Sequence, residues 1–99
     1  MAILEISVTP VGTGSSSFSA LVTTACRIIE EKGLPYQVTP TATVMEGPLD
    51  QLLACVQDVH RACLQNGATR LVTHITIDDR LDKPLTMSQQ VETVQAQLH

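Results

Sequence analysis

The chain has 99 residues, with 10 acidic against 6 basic side chains, a formal charge of −4 and a hydrophobic fraction of 43%. That length fits one domain over 1–99 with a single small core, so help from self-association is expected and a second domain has no room. The acidic balance leaves no electrostatic footprint for nucleic acid or an anionic bilayer, and no apolar run approaches the ~18 residues of a membrane span.

Met1 to Thr9 reads as a first strand, in which Ala2, Leu4, Ile6 and Val8 alternate with Ile3, Glu5, Ser7 and Thr9. The amino terminus enters this pattern at once, without a basic segment and apolar core, so no secretory signal is expected and the cytoplasm is the expected compartment. The turn-rich run from Pro10 to Ser17 then delivers the chain to a helix capped by Ser16 or Ser17 and ended at Gly33-Leu34-Pro35. Within it Phe18, Leu21, Val22, Ala25, Ile28 and Ile29 form one apolar face.

Two short strands follow, about Tyr36 to Thr39 and Ala42 to Glu46, joined near Pro40. Gly47-Pro48 opens a second helix, whose stripe of Leu49, Leu52, Leu53, Val56, Val59, His60 and Cys63 stops at Asn66-Gly67. Thr69 to Arg80 reads as a long strand with two usable faces: Leu71, Thr73, Ile75 and Ile77 against Arg70, Val72, His74, Thr76 and Asp78. After a charged loop, Thr86 with Gln89 three residues later resembles a capping box for a last helix, seamed by Met87, Val91, Val94 and Leu98.

The order β-α-β-β-α-β plus a helix is the split β-α-β pattern of the ferredoxin-like α+β sandwich, with a four-stranded antiparallel sheet and both main helices on one face. The first and third strands are central in that architecture. Glu5, Ser7 and Thr9 are therefore expected near Thr43 and Met45, with His74 and Thr76 alongside, on an open face that a ligand or another subunit covers.

Chemistry-bearing residues are few. Gly14, Ser15 and Ser16 lie in a donor-rich loop before a helix, which either cradles an anion or polar ring substituent or simply caps the helix. His74 either meets a ligand or subunit or makes a structural hydrogen bond, whereas His60, on the apolar stripe, reads as a satisfied boundary residue. Glu46 either recognises a ligand or cation or sits exposed at a strand end. Asp78, Asp79 and Arg80 invite a salt-bridged turn. Cys26, Cys55 and Cys63 lack zinc spacing and read as reduced helix residues; neither a metal site nor a nucleophile-base arrangement emerges.

P-V-G-T-G-S at 10 to 15, E-K-G-L-P-Y at 31 to 36, T-V-M-E-G at 43 to 47, N-G-A-T-R-L-V-T at 66 to 73 and I-D-D-R at 77 to 80 occur in an order and spacing that resemble the small thiamine-binding protein family. The resemblance covers nearly the whole chain. It implies a ferredoxin-like fold, no enzymatic activity, a homotetramer built as a dimer of dimers, and a pocket for thiamine or its hydroxymethylpyrimidine part as ligand rather than cofactor. It also implies pocket roles for Gly14, Ser15, Thr43 and Glu46, and a subunit-interface position for Asp78, Asp79 and Arg80. Ser7, Thr9, Ser16 and His74 join the ligand-binding candidates from the residue reading. The alternative is a self-assembling structural or regulatory subunit without such a ligand; a small enzyme acting on a thiamine precursor is a third reading.

Overall fold

The computed structural model describes residues 1–11, 18–65, 69–82 and 86–98. Its elements run β1 (Ala2–Pro10), α1 (Phe18–Glu31), β2 (Tyr36–Val38), β3 (Thr43–Gly47), α2 (Leu49–Gln65), β4 (Leu71–Asp79) and α3 (Met87–Leu98). This is the expected α+β order with its added helix. The strands pair antiparallel in the order β2-β3-β1-β4, so β1 is hydrogen-bonded on both sides and β2 and β4 are the edges.

Alternation along β1 builds the core. Ala2, Leu4, Ile6 and Val8 are buried beneath the helices, where α1 supplies Leu21, Ala25 and Ile29 and α2 supplies Leu52, Cys55, Val59 and Cys63. Complete burial of side chains such as Leu4, Ile29 and Leu52 stabilises the fold by about 1.5–3 kcal/mol each before entropy is counted. The broad stripe of α2 divides: its central row is buried, while Leu49 and Leu53 are exposed and Val56 and His60 half-buried. Leu53, Val56 and His60 look toward the edge strand β4, where His60 Nδ1 and Thr73 Oγ1 are 2.6 Å apart and tie α2 to the sheet.

One expectation is overturned by the pairing. Thr43 stands opposite Ile6 and Met45 opposite Leu4, so both share β1's buried face and neither lies beside Ser7 and Thr9. The five residues of β3 place an apolar side chain on each face, so their own pattern does not choose an orientation; pairing with β1 does. The other expected neighbours do meet: Ser7 is opposite His74 and Glu5 opposite Thr76, on the side away from α1 and α2.

Helix α1 ends in a Schellman motif. Gly33 N–H donates to Glu30 O at 3.0 Å, Leu34 N–H donates to Ile29 O at 3.3 Å, and Gly33 adopts φ 72°. Leu34 thereby turns back onto Ile29, both buried, and Lys32 Nζ reaches Asp58 Oδ2 on α2 at 2.7 Å. A Cβ at Gly33 would meet nothing within 4 Å, so its replacement is penalised by backbone conformation alone. Gly33→Ala is expected to lower stability by about 1 kcal/mol without changing the urea m-value, read from equilibrium unfolding.

Candidate functional site

A cavity opens on the helix side of the sheet, at the carboxyl-terminal end of β1, within an open hollow of about 390 Å³ that includes adjoining solvent. Three elements wall it: Ile6, Ser7 and Val8 of β1, Leu21, Val22 and Ala25 of α1, and the β2–β3 connection from Val38 to Thr43. The connection is braced, with Thr39 N–H donating to Ala42 O at 2.8 Å and the Thr39 hydroxyl donating to that carbonyl at 2.9 Å and accepting from Ala42 N–H at 3.1 Å. Small residues on α1, Ala25 above all, leave the space that a larger side chain would close.

Thr43 gives this mostly apolar slot its buried hydroxyl. Only 5% exposed, it is the buried polar residue among the described ones. Burial pushes the pKa of the nearby Cys26 thiol up, and the Thr43 hydroxyl partly restrains that rise, so Cys26 stays protonated at neutral pH. Beyond Cys26 on the same helix, Glu30 Oε1 accepts a 2.5 Å hydrogen bond from the Tyr36 hydroxyl and clamps α1 to β2. Among the described residues the cavity lining holds no ionisable side chain. The slot is thus suited to a small, flat, largely neutral group that spends its polarity on one or two hydrogen bonds.

The predicted site residues do not form one cluster within a chain. Thr43 lines the cavity, whereas Glu46, three residues on, points to the opposite side of the sheet. Ser7, Thr9 and His74 lie on that opposite side too, with Thr9 and His74 exposed; Ser7 also borders the cavity. The candidates Gly14, Ser15 and Ser16 lie outside the described residues, but Val8 and Leu21, in the elements that flank them in sequence, both line the cavity. The expected turn of Asp78, Asp79 and Arg80 is also different: Arg80 pairs through Nε and a terminal nitrogen with both oxygens of Asp82, at 2.9 and 2.6 Å. Asp78 and Asp79, extended and exposed in β4, point to opposite sides and do not form the turn.

Glu46 has a function that sequence reasoning missed. Its Oε2 accepts the Met87 N–H at 2.9 Å, at the start of α3, while the Thr86 hydroxyl accepts the Gln89 N–H at 3.2 Å as the expected cap. The first turn of α3 contains no acidic residue, so a carboxylate from β3 satisfies an orphan donor and meets the positive end of the helix dipole. That missing acid was the available signal. The Cys26–Thr43 contact and the Thr39–Ala42 brace had none, because both depend on how α1 and the β2–β3 turn are brought together.

A ferredoxin-like α+β sandwich with an apolar, hydroxyl-bearing cavity on its helix side is the class of protein that these features define. The chain belongs to the thiamine-binding protein family, whose profile matches residues 4–95. It is 40% identical over 102 residues to the UPF0045 protein YqgV of Bacillus subtilis, a match covering 99% of this chain and 98% of that one. Protein MJ1052 of Methanocaldococcus jannaschii shares the fold with a TM-score of 0.86 at 29% identity, over 95% of each chain. A candidate thiamine biosynthesis/salvage protein of Thermotoga maritima has the same fold, with a TM-score of 0.81 at 24% identity, over 94% of this chain and 97% of that one.

Two measurements check the site's framework. Tyr36 is the chain's one tyrosine and there is no tryptophan, so its ionisation is directly visible by ultraviolet titration. Its bond to Glu30, then desolvation and the Glu30 charge, push its pKa up to about 12. The neutral phenol is the favoured form, so this stabilisation is complete below the ordinary tyrosine value of about 10 and is lost as pH rises through about 12. Glu30→Gln is expected to move the titration down toward the ordinary range. Glu46→Ala is expected to weaken the start of α3 by about 1 kcal/mol, as loss of a helix cap does, read as roughly fivefold faster amide exchange at Met87.

Proposed function

We propose that the protein is a non-catalytic binding protein for thiamine or its hydroxymethylpyrimidine moiety, acting in the cytoplasm as a homotetramer built from two dimers. The observation that carries the reading is the cavity walled by β1, α1 and the β2–β3 connection, mostly apolar, bordered by Ser7, Thr39 and Thr41 and holding the buried Thr43 hydroxyl, in a chain of the thiamine-binding protein family. An aminopyrimidine presents flat apolar faces, ring nitrogen acceptors and an exocyclic amine, which one buried hydroxyl and nearby backbone groups complement. Gly14, Ser15 and Ser16 are kept as proposed ligand-binding residues. The absence of ionisable groups from the described lining favours binding over acid–base chemistry.

In this reading the open sheet face belongs to assembly. Glu5, Ser7, Thr9, His74 and Thr76 are polar without forming a dense charge cluster, and Ser7 faces His74 directly in the sheet. Asp78, Asp79 and Arg80, at the end of the edge strand β4, lie at a subunit boundary. Glu46, already engaged with α3, contributes to the pocket only where subunits meet.

Isothermal titration with thiamine and, separately, with hydroxymethylpyrimidine tests the proposal, after the oligomer has been sized. Saturable binding is expected, and comparison of the compounds reports whether the thiazolium half contributes. Thr43→Val should weaken binding on the order of 3- to 10-fold, the effect of losing one neutral hydrogen bond, and leave the oligomer intact. No heat from either compound, with an intact ligand-free oligomer, would favour an assembly or regulatory subunit instead.

A further inference from the structure

The cavity's outer wall is the least supported part of the site. It is built from the end of β2 and the connection to β3, and β2 is a three-residue edge strand. Tyr36 packs against the core and is clamped to α1 through Glu30, but Gln37, Pro40 and Thr41 are exposed and Val38 is 56% exposed. An edge segment with so little buried apolar surface belongs to the part of a protein that opens first. Past Val38, Thr39 ties it to the next strand. The Thr39 N–H donates to Ala42 O at 2.8 Å, and the Thr39 hydroxyl donates to the same carbonyl at 2.9 Å while accepting Ala42 N–H at 3.1 Å. In an ordinary four-residue turn the last N–H goes to the first carbonyl; here a side chain takes that donor. Pro40 supports the arrangement, because its ring fixes its own φ and favours an extended residue before it.

We infer that Thr39 is a positioning residue for ligand binding, whose hydroxyl holds the wall from Val38 to Thr43 in its binding-competent form before the ligand arrives. The inference rests on the reading of this cavity as the ligand site. Thr39 acts on the wall and not on the ligand: its hydroxyl carries one proton, and that proton is spent on Ala42 O. Ala42 is thereby fixed through both its N–H and its C=O, and Thr43 follows it as the first residue of β3. The brace thus sets the point from which the buried Thr43 hydroxyl is presented to the slot. Such a device governs the fraction of molecules ready to bind, and apparent affinity falls in proportion to that fraction. Its loss enters through association. A group that touches the ligand, the role given to Thr43, acts mainly on dissociation.

Binding kinetics of the full chain with hydroxymethylpyrimidine and with thiamine, read by surface plasmon resonance, test it together with amide exchange of the ligand-free protein. Thr39→Val, which keeps the shape and removes the hydroxyl, is expected to slow association on the order of tenfold, leave dissociation unchanged and speed exchange at Ala42. Thr39→Ser should restore both readouts, whereas Thr43→Val should act on dissociation. In the wild type the Ala42 amide is expected to be protected before any ligand is added, a result that depends on no variant. Protection of Ala42 that arises only with ligand, association of Thr39→Val at the wild-type rate, a loss confined to dissociation, or no rescue by serine would each overturn the inference while leaving the ligand reading in place. Failure of the wild type to bind either compound would strike the ligand reading and this inference with it.

Discussion

Hydrogen bonding of β1 on both of its edges is the constraint on which the rest of this structure depends. Its nine residues pair with β4 along their whole length and with β3 over Ala2 to Ile6, so both neighbours inherit their register from one strand. Because side chains alternate with a period of two, burial of Leu4, Ile6 and Val8 also decides which side of every paired residue faces the helices. Thr43 is drawn into the core by standing opposite Ile6. Glu46 is turned outward by standing opposite Ile3.

That strict alternation divides the molecule's chemistry between two sides. The helix side holds the cavity, where the Thr43 hydroxyl is buried away from water and a hydrogen bond to it is correspondingly stronger. The other side holds Glu5, Ser7, Thr9, His74, Thr76 and Glu46, whose polar groups are solvated or, for Glu46, committed to a helix terminus. Residues only three apart in β3 thus contribute to unrelated features. Seen this way, the T-V-M-E-G segment links the cavity wall to the anchoring of α3.

The edges set the remaining character of the fold. Helices α1 and α2 sit over the central strands, so β4 keeps Ile75 and Ile77 partly exposed even though they share the side of the buried residues Leu4 and Ile6. Loss of burial at the edge is a geometric result, since two helices do not span four strands completely. It leaves an apolar groove where the sequence alone reads as a regular amphipathic strand.

The order and type of the elements were legible in the sequence because they rest on local rules. Alternation marked β1 and β4, the period of 3.6 marked the helices, Gly33 marked the end of α1, and Thr86 marked the start of α3. The ferredoxin-like arrangement followed from that order, and several motifs in register carried the family resemblance. The side of the sheet taken by Thr43, the capping of α3 by Glu46, the pairing of Arg80 with Asp82 in place of an Asp78–Arg80 turn, and the exposure of Leu49 and Leu53 on α2's stripe were not legible. A five-residue strand with apolar side chains on both faces has no orientation of its own, and a helix start lacking an acid does not reveal which distant carboxylate supplies the charge. By itself the sequence determined which segments become strands and helices and in what order they pack, because those choices arise between residues a few positions apart. Only the tertiary structure decided which residues share a side and which surfaces remain bare, because those depend on pairings across the sheet and on how far two helices extend over four strands.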